Sequence, residues 1–363
     1  MAKPNIKDLS SRQLEDWLAA RREPPYRAAQ IRQWLFQKGV AAFAEMSNLS
    51  SGLRAALEET YSISGLKTLR RSSSIDGTVK FLFELADRLS IESVLIPEAN
   101  RLTLCISTQA GCGFGCAFCA TALMGLKRSL RASEIVDQVL ETRRSLPAEK
   151  RITHVVLMGM GEPLANYNQT LSAVRIMSDA DWGIGISSRR ITLSTVGLVP
   201  QMKRLMEESN INLAISLHAT TDEIRSQLMP VNRKYPLAEL MDCCRSLPLP
   251  KRRRITFEYV VLRGINHSEE DARRLSKLLT GIRSKINLIP FNPHPGSSYH
   301  RPTAEEIAQF QNALQVRGHQ VNIRDPRGND IQAACGQLWT ESETVQSSRS
   351  NVEHRTLDIA LGE

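Results

Sequence analysis

No stretch of this 363-residue chain approaches the run of about 18 apolar residues that a membrane span needs, and the opening MAKPNIKDLSSRQLEDW has no apolar core behind its early lysines. A spanning or secreted protein is therefore not expected, and the expected compartment is the cytoplasm. The seven cysteines are odd in number and irregularly spaced, which argues against a structural disulfide framework. No G-x-G-x-x-G follows a strand-like run, so a dinucleotide-binding oxidoreductase is a poor fit. No aromatic RNP pair appears, and there is no second C-x2-C knuckle of the kind that completes a structural zinc site.

What is present describes an ordinary globular chain. A hydrophobic content of 42% over this length supports one large domain or two, with room for an appendage. Lys and Arg exceed Asp and Glu by 47 to 38, a net charge of +9, which favours polyanionic partners. Basic residues cluster at KRSLR (127–131) and KRRR (251–254). Each cluster reads either as a solvated element end or as part of a nucleic-acid contact.

The pattern changes character along the chain. Residues 1–70 read as a small helical module: Ser10 and Gln13 form a capping box ahead of Leu14, Trp17 and Leu18. PPYRAAQIRQWLFQKG then carries prolines at a helix start and Gly39 at its end, and GLRAALEETY supplies a third helix. Residues 71–100 read as a hairpin extension, TVKFLFEL and RLSIESVLIP about a turn at Ala86-Asp87. From 101 to 340, six strand-like runs (RLTLCIST, HVVLMGM, RRITLST, INLAISLHA, RITFEYVVL, KINLIPF) alternate with helical patterns near 131–146, 168–179, 198–208, 237–247, 268–282 and 303–318. Apolar strands alternating with helices specify a parallel α/β sheet. Polar or glycine-rich sequence follows nearly every strand, which favours a barrel mouth over the single switch point of a doubly wound sheet. The expected fold is thus α/β, a partial (β/α)6 TIM-like barrel with a small N-terminal helical domain. The polar stretch 341–363 reads as a tail, mobile at least in part.

Chemistry concentrates in GCGFGCAFCA, where Cys112, Cys116 and Cys119 form a C-x3-C-x2-C run on the loop after the first barrel strand. A cubane iron–sulfur cluster takes one thiolate per iron. Three thiolates leave one iron open, and an open position is how a metal site keeps room for a reactant. Other residues at the strand ends read either as site groups or as caps and turns: Gly161 and Glu162 in GMGEP, Ser194 in TLST, Ser216, Leu217 and His218 in SLHA, and Asn292 in PFNP. Cys105 and Cys335 read on spacing alone as small buried hydrophobes, and Cys243 with Cys244 as packing residues.

The trio and its placement resemble the radical S-adenosylmethionine superfamily, in which the amino and carboxylate groups of the cofactor occupy the open iron. GMGEPLANY, TLSTVGLVP, LAISLHA, LIPFNP and RGNDIQAACGQL together resemble, in order and spacing to about residue 340, the dual-specificity ribosomal RNA and transfer RNA adenine carbon-2 methyltransferases. The resemblance implies one [4Fe-4S] cluster on Cys112, Cys116 and Cys119, and S-adenosylmethionine at Gly161, Glu162, Ser194, Ser216, Leu217, His218 and Asn292, with two cofactor molecules consumed per turnover. It implies as substrates an adenosine in the peptidyl-transferase region of 23S rRNA and the adenosine beside the anticodon in tRNAs. An external one-electron reductant of flavodoxin type and a monomeric state complete the expectation.

Carbon 2 of adenine is electron-poor and cannot attack a sulfonium methyl as a thiolate does. The resemblance implies a detour: Cys335 is methylated by displacement, a 5′-deoxyadenosyl radical takes a hydrogen from that methyl, and the methylene radical adds to carbon 2. It implies that Cys105 then releases the protein–RNA adduct by forming a disulfide with Cys335. Glu92 reads either as the base that removes the carbon-2 proton or as a solvent-facing acid on an alternating strand. Two rivals remain open on the sequence: a carbon-8 methyltransferase acting on the same rRNA adenosine, and a non-catalytic iron–sulfur or zinc protein that binds RNA.

Overall fold

The computed structural model describes residues 3–63 and 65–340, so the tail expected from 341 lies outside the described residues. The first helix, Ser11–Ala19, starts at the expected capping box: Ser10 Oγ accepts from Gln13 N at 3.2 Å while Ser10 N donates to Gln13 Oε1 at 2.9 Å. Leu14 and Leu18 point from it into the core. A second helix, Tyr26–Arg32, runs on through a wider π-type turn, Gln33–Lys38, and stops at Gly39 with φ +67°. The third, Ser51–Thr60, is capped by Ser50.

This module is pinned to the rest of the chain by charge as well as by apolar packing. Lys7 and Asp137 form an ion pair with both side chains buried, and Asp8 accepts from Ser133 N at 2.9 Å. Arg32 lies over the Trp182 ring at 4.4 Å. Removing one partner of a buried pair strands the other charge in a low-dielectric site. Lys7→Met should therefore cost about 3–5 kcal/mol in urea unfolding, and adding Asp137→Leu should recover most of the loss.

Four strands follow as an antiparallel meander: β1 (Lys67–Ser73), β2 (Val79–Glu84), β3 (Ser90–Glu98) and β4 (Arg101–Cys105). A small hairpin, β5 (Gln109–Gly111) with β6 (Leu126–Ser129), comes next. The parallel series is then β7 (His154–Leu157), β8 (Ile191–Thr195), β9 (Asn212–Ser216), β10 (Ile255–Val261), β11 (Ser284–Pro290) and β12 (Val321–Ile323). All but β5 and β6 join one sheet in the order β1-β2-β3-β4-β7-β8-β9-β10-β11-β12. The six expected barrel strands are present, each followed by a helix: Ala132–Arg144, Tyr167–Ser178, Val199–Glu208, Leu237–Ser246, Glu269–Leu278 and Ala304–Gln315. Every residue of β10 is buried, as a strand covered on both faces must be.

Besides the hairpin pair β5 and β6, two strands of the main sheet escape the sequence pattern. β1 is exposed along nearly its whole length and carries KTLRRSS, which has no alternation to read. It straddles the expected boundary at residue 70, and through β2 and β3 the hairpin region is continuous with the barrel sheet. β12 is three residues long, too short for any period, yet it brings the chain back to the edge beside β11. Among the described residues no helix is long and apolar enough to cross a membrane.

Candidate active site

The cysteine loop hangs between β5 and β6. Gly111 has φ +74°, and a Cβ there would sit 1.9 Å from Gly125 O, so the loop closes only on glycine. Cys112 N donates to Gly125 O at 3.1 Å across that closure. Ala117 N and Ala120 N tie the far side to Leu228 O (2.9 Å) and Gly336 O (2.8 Å). The three thiols line one cavity at the C-terminal ends of the strands. Burial pushes them up, Cys112 to about 11 and Cys116 well above the thiol range, with the charge of Cys119 adding to both and that of Cys112 to Cys116. Among the described residues, no three His, Cys, Asp or Glu side chains gather as one metal ion would require. Three thiols lining one cavity, with no fourth protein ligand offered by the loop, are a donor set for a cubane, where each sulfur takes its own iron. The residues present fit such a cluster better than a single zinc.

Across the cavity stands an acid. Gly161 has φ +93°, and a Cβ there would lie 2.4 Å from Gln109 Cβ. That contact lets Gln109 Oε1 accept from Glu162 N at 2.9 Å. The Glu162 carboxylate is buried, accepts from Leu164 N (3.1 Å) and Val196 N (2.9 Å), and is pushed up by burial to about 7. Such a group suits an ammonium ligand. Ser194 and Ser216, at the ends of β8 and β9, line the same cavity. His218 sits at φ +60°, edge-on to Phe118, with Nδ1 accepting from Val260 N at 2.9 Å. Burial lowers it to about 3, so it is neutral and Nε2 carries the proton. Leu217 is the exception: its side chain is core, and only its backbone takes part, through Glu258 O and Arg225.

Cys335 and Cys105 come together. Both are free thiols and both line a small cavity that Cys119 shares. Cys105 is buried at the end of β4, whereas Cys335 is exposed and also lines the main cavity. Asn292 Nδ2 donates to Cys335 O at 3.1 Å, which ties the thiol's loop to the end of β11. The other side of that loop is strapped to the β1–β2 hairpin. Asp330 accepts from Ser74 Oγ (2.6 Å) and Ile75 N (3.3 Å), Asp76 accepts from Gly328 N (3.0 Å), and Lys80 Nζ reaches Gln332 O (3.2 Å).

Glu92 is not the solvent-facing acid that its strand alternation allowed. It is 1% exposed, pairs with Lys80 at 2.9 Å and accepts from Trp339 N at 3.0 Å. Burial raises its pKa, with Lys80 opposing. Its carboxylate lies behind the Cys335 segment, and it is not among the residues lining the main cavity. Cys243 and Cys244 are buried on the helix Leu237–Ser246, as packing residues should be.

The comparisons with known proteins agree with this geometry. The radical SAM superfamily profile matches residues 106–276, and that of the ribosomal RNA large subunit methyltransferase N-terminal domain matches residues 4–63. The dual-specificity RNA methyltransferase RlmN of Syntrophobacter fumaroxidans is 50% identical over 93% of this chain and 98% of its own. That of Geobacter sulfurreducens is 50% identical over 95% and 94%. The chain belongs to the family of dual-specificity RNA methyltransferases. The crystal structure of a radical SAM methyltransferase from Sphaerobacter thermophilus matches at a TM-score of 0.88 and 43% identity, covering 93% of this chain and all of that one. This family member is thus a radical SAM RNA methyltransferase, whose resident groups are an iron–sulfur cluster and S-adenosylmethionine.

Two residues of the site lie outside the motifs that the sequence offered. Arg324, immediately after β12, is near Glu258 (3.7 Å) and lines both cavities. Its charge is held chiefly by Cys335 and also by Glu258 and Cys105. The polar IRDPRG after the last helix was its only signal. Arg225 is wholly buried and donates to Leu217 O, Ser216 O, Val196 O and Asn232, which fixes the ends of β8 and β9 at the mouth. Nothing in its helical context marked it.

Proposed function

We propose that this enzyme methylates carbon 2 of adenine, in a 23S rRNA adenosine of the peptidyl-transferase region and in the adenosine beside the anticodon of tRNAs. The observation that carries the reading is the pair Cys105 and Cys335 in one small cavity beside the cysteine trio. Cys112, Cys116 and Cys119 would hold a [4Fe-4S] cluster, and Gly161, Glu162, Ser194, Ser216, His218 and Asn292 would bind S-adenosylmethionine, Leu217 contributing backbone only. When bound, these groups supply a sulfonium methyl donor and one-electron chemistry able to abstract hydrogen from a methyl group. The reading includes two cofactor molecules per product, an external one-electron reductant of flavodoxin type, a monomer and a cytoplasmic setting.

In this proposal Cys335 is the methyl acceptor, and its exposed thiol faces the mouth. Asn292 orients its loop. Once the Cys335 methyl carbon is joined to the base, Cys105 Sγ attacks Cys335 Sγ. Loss of the carbon-2 proton and of one electron to a one-electron acceptor first closes the shell of the radical adduct. The S–S bond then forms, the S–C bond breaks with its electron pair on the exocyclic carbon, which takes a proton, and an external thiol reductant reopens the disulfide for the next turnover. Glu92 is the base for the carbon-2 proton; in the resting structure its carboxylate accepts from Trp339 N. Anaerobic turnover with S-adenosylmethionine bearing a deuterated methyl tests the route. Two deuteriums in the new methyl and one in 5′-deoxyadenosine are expected; three in the new methyl would overturn it.

Arg324 tunes the release. Burial and Cys335 push the Cys105 thiol up to about 12, and Arg324 opposes them. Removing its charge raises that thiol further, so less thiolate is present at any given pH. Arg324→Gln should slow adduct resolution about tenfold, the effect of one unit of thiol pKa, and move the rising limb of its pH–rate curve to higher pH. Single-turnover resolution followed across pH 7–10 would show it.

A further inference from the structure

The end of the sheet opposite the mouth holds a second cleft. The N-terminal ends of β8 to β11 enclose about 800 Å³ there, and the lining includes Arg189, Arg252, Arg253, Arg254 and Lys285 without a single carboxylate. None of these five has an ion-pair partner among the described residues, although Arg254 donates to Gln320 Oε1. Arg253 Nη1 is buried without an acceptor. Like charges crowd one another: the Arg253 pKa is lowered by burial and then by Arg189.

The backbone that presents these cations is held in place. Arg283, just before β11, donates to Leu249 O (2.7 Å), Pro250 O (3.2 Å) and Lys251 O (2.6 Å), which fixes the turn carrying Arg252 and Arg253. Asn212 Nδ2 donates to Arg189 O at 2.7 Å and fixes the facing turn. Three hydrogen bonds to backbone carbonyls fix one turn and one fixes the other, and none of them brings an anion to the arginines. A solvated surface patch spreads its like charges apart; here two pinned turns hold them together around a concave space. An oxyanion is the ligand class that satisfies both the charge and the vacant donor.

We propose that this cleft is a phosphate-binding site that takes a phosphodiester of the substrate RNA at the end of the barrel remote from the methylated base. The assignment to RNA rests on the proposed function, whereas the anion site itself does not. Arginine forks suit phosphate geometry, and Thr192 and Thr256 at the strand starts add hydroxyl donors. KRRR, for which the sequence favoured the reading of a solvated element end, becomes the wall of this site.

The test uses the full chain and pyrophosphate as probe. Calorimetric titration at fixed ionic strength should show pyrophosphate binding to the wild type and at least a tenfold loss in Arg252→Gln/Arg253→Gln, with Arg253→Lys intermediate and melting temperatures unchanged. tRNA affinity across salt should then show a slope for the double variant shallower by about one to two, since each phosphate contact contributes close to one. Pyrophosphate loss with an unchanged tRNA slope would keep the anion site but transfer it to a free phosphorylated ligand, overturning the RNA assignment. Equal pyrophosphate affinity in wild type and double variant would overturn the site altogether. Methyl transfer by the wild type is read independently by deuterium retention, so failure of the cleft and failure of the catalytic reading remain distinguishable.

Discussion

Cys335→Ala is expected to abolish methyl transfer to RNA, by about a thousandfold or more, while the protein still takes up iron and still cleaves S-adenosylmethionine under reducing conditions. The two halves of the expectation follow from where the residue sits. Cys335 is exposed and lines the mouth, but it is carried on a loop held from outside by Asp76, Asp330 and Lys80 and from inside by Asn292. None of those contacts uses its sulfur. Truncation to alanine therefore removes a nucleophile without opening a buried cavity, and unfolding free energy should change by less than about 1 kcal/mol. The cluster loop touches the Cys335 segment through Ala120 N and Gly336 O, a backbone contact that alanine keeps. Iron and sulfide analysis with 5′-deoxyadenosine quantification would check the retained half, and mass spectrometry of treated rRNA the lost half. Full methylation by the variant would exclude a methyl-cysteine route. A non-catalytic iron–sulfur RNA-binding protein would have no methylation for the substitution to remove.

The barrel was legible because its physics is periodic. Strands buried on both faces must be apolar throughout, and helices that cover them must be amphipathic, so six units could be read with their order. β1 and β12 were not legible for the converse reason: an exposed strand such as KTLRRSS has no buried face to write a pattern, and a three-residue strand has no period. The same division runs through the site. The cysteine trio announces itself by spacing, since a loop wrapping a cluster must deliver its thiols within a few residues. Glu162 follows the glycine whose positive φ permits the Gln109 contact. Arg324 and Arg225 act through three-dimensional proximity to groups far away in sequence, and a lone arginine carries no periodicity that could reveal this. Glu92 shows the limit from the other side. Its alternation in β3 allowed an outward acid, but Lys80 of β2 pairs with it and the segment after Cys335 folds over that face and buries it. A sheet face is solvent-facing only if nothing later in the chain folds over it.

Cys105→Ala should give the other large effect, a protein covalently joined to its RNA. Cys105 lines the small cavity with Cys335 and Cys119, is buried, and pairs in the sheet with Val94 and Val156. Burial dominates its raised pKa, with the negative charge of Cys335 second and Arg324 opposing. When Cys335 carries a carbon substituent, it can no longer be a thiolate and its contribution vanishes. The Arg324 charge then acts on Cys105 with less opposition, so the resolving thiol is more readily ionised in the adduct than in the resting enzyme. Alanine in place of Cys105 leaves the adduct with no sulfur to attack it, and turnover should stop after the first event on each molecule. Denaturing gels should show an RNA-sized shift that resists boiling and nuclease-trimmed mass spectra should place the nucleotide on Cys335, while wild type shows neither at steady state. Release of free methylated RNA by the variant at the wild-type rate would mean that Cys105 is only a packing residue and that another nucleophile, or solvent, breaks the S–C bond.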